Sequence, residues 1–169
     1  ENSKAGRLCN LHYAQMRDAV LRDHTWNFAI TRANLALSTT TPEYEFSYQH
    51  ALPVDLLRVL GTDLSNETVY KIEGRFLLSD SDTVRILYIK QVTDTTQFDQ
   101  LFVEALSARI AAELALPLSD SVNLLDVMNG LYQRKISAAR YVDSTEGTPD
   151  SITADKWLNS RVSYSSWAS

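Results

Sequence analysis

Between Ala5 and Asp23 the positions Cys9, Tyr13, Met16 and Val20 recur at spacings of four, three and four. Those spacings place the four side chains on one face of a helix, with Arg7, Arg17, Asp18 and Arg22 mainly elsewhere. The pattern predicts a helix over 5–23 whose stripe serves the core. Its period then breaks. Trp26, Phe28 and Ile30 alternate, and so do Tyr44, Phe46 and Tyr48. Alternating aromatic and β-branched residues favour strands, expected near 27–37, 44–50 and 57–61. The stretch 27–37 also admits a continued helix. Pro42 and Pro53 punctuate the segment.

The run "YKIEGRFLLSDSDTVRILYIKQVTD", residues 70–94, reads as two strands. The first closes at Phe76, Leu77 and Leu78, "SDSD" turns the chain, and "TVRILYIKQV" returns. Val84, Ile86 and Tyr88 do not alternate cleanly with Arg85, Leu87 and Ile89, so both faces are partly apolar. A strand of that kind is buried on both sides or lies against another chain. Leu87 and Ile89 are therefore candidate interface residues.

Helical spacing resumes after Asp94. Thr96 and Asp99 have the separation of a capping box, with Asp in place of Glu or Gln. A helix to Leu116 follows, with Phe98, Leu101, Phe102, Ala105, Ala108 and Ala112 on its apolar face, and Pro117 is expected to break it. Ser119 or Asp120 would cap the next helix, which buries Leu124, Leu125, Met128, Leu131, Tyr132, Ile136 and Ala139. Gly130 weakens that helix by about 1 kcal/mol relative to Ala. Past Tyr141 the chain turns rich in Ser, Thr and Asp and too polar for a core of its own. Trp157, Tyr164 and Trp167 nevertheless give it large apolar surfaces suited to docking.

Together these elements predict an α+β fold, mainly α. Residues 1–25 and 95–142 would form an antiparallel helical bundle. Residues 26–94 would be an inserted antiparallel β-strand region, and 143–169 an extended C-terminal arm. Residue 1 falls inside what reads as a running helix, so a further N-terminal piece is expected.

Composition narrows the function. A chain of 169 residues with 44% hydrophobic and 22% charged residues suits one globular domain. No apolar run reaches the ~20 residues needed to span a bilayer, and no signal-peptide pattern is visible. The net charge of −5 and the pI of about 5.1 give no basic surface for gripping phosphates. One cysteine, Cys9, excludes an intrachain disulfide.

Reactive constellations are equally sparse. Cys9 and His12 have ligand-like spacing, but no second pair follows, and His24 and His50 are scattered. No G-x-S-x-G occurs and the five glycines are dispersed, so neither a nucleophile elbow nor a phosphate loop is present. Asp80 and Asp82 sit in a turn, where solvation accounts for them. Asn66-Glu67-Thr68 matches a glycosylation sequon by chance. No catalytic, cofactor-binding or metal-binding residue is assigned. What remains is surface, the profile of an assembly part rather than an enzyme.

Several stretches, taken in order, resemble the tail tubular protein A family, the head-to-tail adaptors or connectors of podovirus-type bacteriophages. They are "RDAVLRDHTWNFAITRANLAL", "YEFSYQHALPVDLLRVL", "YKIEGRFLLSDSDTVRILYIKQVTDTTQFDQLFVEALSARIAAELA" and "WLNSR". The series L-P-x-D, the strand pair with its E-G turn, and F-D-x-L-F carries most of the likeness. The resemblance implies a virion structural protein assembled in the host cytoplasm. It would form a ring, typically of twelve copies, between the portal protein and the tail nozzle or tube. Double-stranded DNA would pass through its channel without sequence-specific binding, and no membrane or cofactor is involved. Within that role Leu87 and Ile89 would meet a neighbouring subunit and Trp157, Tyr164 and Trp167 would dock on the portal. Trp26 and Phe28 match the family's W-x-F pattern and would pack the junction of helix and β-region. Competing readings are another tail-completion or nozzle component, or a small cytoplasmic enzyme or binding domain.

Overall fold

The computed structural model describes residues 3–64 and 69–146. Helix α1 spans Lys4–Asp23, with Ser3 capping it by accepting from the Gly6 N–H. A 3-10 turn at Asn27–Ala29 leads into β1, Ile30–Asn34, and after Leu35 into β2, Ala36–Leu37. Strands β3 (Tyr48–Ala51), β4 (Leu56–Thr62), β5 (Tyr70–Glu73), β6 (Phe76–Ser79) and β7 (Arg85–Lys90) follow. Helices α2, Gln100–Ser119, and α3, Val122–Thr145, complete the described chain.

All seven described strands pair antiparallel, in two sheets. One is ordered β1-β7-β4 and the other β2-β3-β6-β5. The fold is therefore mixed α/β, with three helices beside two small sheets. The chain crosses between sheets at Leu35, whose N–H bonds the Val84 carbonyl at 2.9 Å.

Residues 70–94 form three strands rather than the two expected. The tight turn lies at Gly74-Arg75, so 70–79 is itself a hairpin, with Glu73 opposite Phe76 and Tyr70 opposite Ser79. Gly74 adopts φ +56°, positive at the first central position only, as a type II′ connection requires. "SDSD" carries the chain from one sheet to the other, and β7 pairs with β1 and β4. Asp80 has a structural part in that crossing: it accepts from the Ser47 N–H and the Ser47 hydroxyl, each at 2.9 Å.

The chain itself buries one apolar face of β7 and the Ile89 end of the other, where Leu87 stays half-buried. Ile86 and Tyr88 join Leu35, Leu52, Leu77 and Val84 between the sheets. Ile89 joins Val20, Leu21, Trp26, Phe102, Ala105 and Ile136 beneath the helices. Tyr44, Phe46 and Tyr48 do not form one strand, because Glu45 takes φ +71° and the Phe46 N–H bonds the Tyr44 carbonyl at 2.9 Å, a γ-turn. Phe46 is buried as a result and Tyr44 is exposed.

Helix boundaries also differ from expectation. Asp99, not Thr96, caps α2, accepting from the Leu101 and Phe102 N–H groups at 2.8 and 3.1 Å. Pro117 does not stop α2, which runs two residues further before Asp120 ends it with φ +52°. Proline forgoes its own N–H bond and crowds the Glu113 carbonyl, yet the last turn still closes through the Asp120 N–H on the Leu116 carbonyl and the Ser119 hydroxyl on the Ala115 carbonyl. Ser121 then caps α3, rather than Ser119 or Asp120. The start proposed for the arm, residue 143, lies inside α3.

Lys135 bonds Glu104, and Arg109 stacks over Tyr132, so α2 and α3 run antiparallel. Lys4 reaches the Pro117 carbonyl at one end of α1, while Trp26 meets Phe102 just past the other, so α1 runs antiparallel to α2.

Candidate functional site

The junction of helices and sheet is fixed by aromatic packing and one carboxylate. Trp26 is fully buried, its indole N–H donating to the Val20 carbonyl at 2.9 Å. Its ring meets Phe102 edge-on at 5.1 Å, and Phe28 and Phe98 extend the group. Edge-to-face pairs of this kind add to the stabilisation from burial. Asp143, near the end of α3, accepts from the Asn27 N–H and lies 3.0 Å from His24 Nε2. The Asn27 side-chain amide donates to the Asp143 carbonyl at 2.7 Å, and Arg140 pairs with Asp23 beside it. These bonds clasp the last turns of α3 to the chain entering β1. They have no arrangement of nucleophile and base, and their evident role is to hold the junction.

Three open surfaces stand out among the described residues, beside scattered exposed apolar positions such as Leu11, Tyr44, Val54 and Tyr141. The first is the end of the β1-β7-β4 sheet away from Ile89. An open groove of about 570 Å³ lies there, lined by Arg32, Asn34, Gly61, Asp63, Arg85 and Leu87 among others. Arg85 donates to Asp63 from its backbone N–H and from Nε, each at 2.7 Å. The backbone bond first, then the guanidinium, hold the Asp63 carboxyl below its ordinary range. The second is the outer edge of β5, where Val69, Tyr70, Ile72 and neighbouring Phe76 are exposed. The third is the turn between α2 and α3, exposing Leu116, Leu118, Val122, Leu124 and Val127.

Of the residues chosen from sequence, Leu87 is half-buried in the groove, while Ile89 is fully buried under the helices. Ile89 is thus a core residue and unavailable to a partner in this conformation, because the helices of its own chain cover that part of β7. Trp157, Tyr164 and Trp167 lie outside the described residues. The α2–α3 turn was missed. Leu124 was assigned to the core, yet it is 38% exposed. A signal was present: Val122, Leu124, Leu125 and Val127 exceed what one helical stripe can bury. The edge of β5 was obscured by placing the turn at "SDSD".

Among the described residues no three His, Cys, Asp or Glu side chains come together as a metal site. No described helix is long and apolar enough to cross a membrane. The chain matches no protein-family model and no curated protein.

Proposed function

We propose that this chain is a subunit of a head-to-tail adaptor ring in a podovirus-type bacteriophage, joining the portal to the tail nozzle or tube. The sequence resemblance supplies the role. The observation that carries it furthest is the pair of unlike surfaces left open at the α2–α3 turn and at the Leu87 groove. A ring needs such a pair, because each subunit presents one patch to the next and a different patch to the one before. The turn is apolar, whereas the groove combines Leu87 with Arg32 and an Arg85–Asp63 pair. In this reading the three helices form the bundle part of the subunit, twelve copies close the ring, and DNA passes through without sequence-specific contacts. The net charge of −5 per copy favours passage by repelling phosphates within about a Debye length of roughly 8–10 Å. Residues 147–169 supply the docking arm, with Trp157, Tyr164 and Trp167 as its anchors on the portal.

Val122→Asp tests the turn surface. Val122 is 64% exposed, so the change leaves the fold within about 0.5 kcal/mol of wild type. It should abolish ring formation on the portal. Rings of normal occupancy from this variant would remove the turn from the proposal. Deleting residues 150–169 tests the arm: portal binding should fall with little change in melting temperature. A large fall in melting with binding retained would instead mean that the tail packs on its own subunit.

A further inference from the structure

Among the described residues no strand pairs with the outer edge of β5, and its side chains form a self-complementary pattern. We propose that β5 pairs antiparallel with β5 of a second copy, about a twofold axis at Ile72, in a weak dimer separate from the ring contacts. The geometry follows from the hairpin. In a two-residue hairpin the closing pair, here Glu73 and Phe76, is hydrogen-bonded, and bonded pairs then alternate along the ladder. Lys71 therefore spends its backbone groups on Leu78. Tyr70 and Ile72 carry the N–H and C=O groups that face outward.

An unpaired row of this kind is a template for another strand. Antiparallel pairing centred on Ile72 uses those outward groups. It sets Ile72 against its own copy and Lys71 against Glu73 of the second copy, twice over. Opposite charges directly across a ladder stabilise it, and like charges destabilise it. Tyr70 falls opposite Gly74 of the second copy, so its ring has room. Ile72, 47% exposed, stands across the hairpin from fully buried Leu77, so pairing would extend the apolar face between the sheets. Lys71 already bonds both carboxylate oxygens of Glu45 at 2.8 Å within its own chain, so Glu73 of the second copy would be an additional partner for its ammonium. A contact built on a four-residue strand lies well below the ~1,200 Å² typical of stable interfaces, so the dimer is weak and concentration-dependent.

Sedimentation of the full chain alone, without portal, provides the test, so the result is independent of whether rings form. Wild type should shift reversibly from monomer to dimer with rising concentration. Lys71→Glu and Glu73→Lys should each be monomeric over the same range, because each sets like charges opposite one another twice. An equimolar mixture of the two variants should recover a dimer, since both cross-strand pairs become opposite again. The double variant carrying both changes should also dimerise. A wild type that stays monomeric at about 1 mM, or single variants that dimerise as wild type does, would overturn the proposal. So would a mixture no more associated than its components. Circular dichroism checks that each variant is folded, and for an unfolded variant Lys71→Gln or Glu73→Gln takes its place, with weakened dimerisation expected.

Discussion

Trp26 is the largest of the fully buried side chains, and its surroundings show what a single residue can hold together. Trp26→Ala should cost about 3–5 kcal/mol, read as a lower midpoint in urea denaturation, because it opens a large cavity and leaves the Val20 carbonyl without its donor. Asp143→Ala should cost about 1–3 kcal/mol by leaving the Asn27 N–H unpaired at a part-buried site. Tyr88 sets an alkaline limit. Burial first, and then its hydrogen bond to Asp55, push its phenol up to about 12 from the ordinary 10.0. The fold therefore binds this proton more tightly than the unfolded chain does. The resulting stability is fully present below pH 10.0 and is lost as the pH climbs toward 12. Denaturation at several pH values across that window should show a steeper loss for wild type than for Tyr88→Phe, and equal slopes would contradict this origin. The junction packing of Trp26 was expected from the W-x-F pattern, whereas the alternation suggested a strand where Asn27–Ala29 form a 3-10 turn. The clasp at Asp143 was not legible, since it joins residues 116 positions apart and leaves no periodic trace.

At the scale of elements, hydrophobic period located α1 and the apolar face of α2 closely, because each repeats one spacing long enough to be read, and the strand expected at 57–61 corresponds to β4. Period failed where chemistry of a single residue decides the path. Gly74 turns the chain where "SDSD" was expected to, Glu45 interrupts an alternating run by its positive φ, and Asp99 displaces Thr96 as the cap. Gly74→Ala should destabilise the protein by about 1 kcal/mol in the same denaturation assay, because the turn needs a φ that alanine disfavours. No change in midpoint would mean that the hairpin tolerates another turn type. The apolar character of both β7 faces was legible, but its cause was not. Period alone cannot tell whether the second face is covered by the same chain or by another, and here the chain covers Ile89 but leaves Leu87 half-buried.

The whole molecule joins a helical part and two small sheets through the aromatic junction, and it leaves surfaces open at the α2–α3 turn, the Leu87 groove and the β5 edge. In the proposed account the first two make the ring contacts and the third pairs free copies. The turn surface had only the surplus of apolar positions as its signal, because its leucines and valines look like core until the helix ends are located. The most direct test of the adaptor role is electron microscopy of the full chain mixed with the portal protein of its own virus. Closed rings seated on the portal, absent with Val122→Asp, are the predicted result. Portals that stay bare at a large molar excess of folded chain would contradict it.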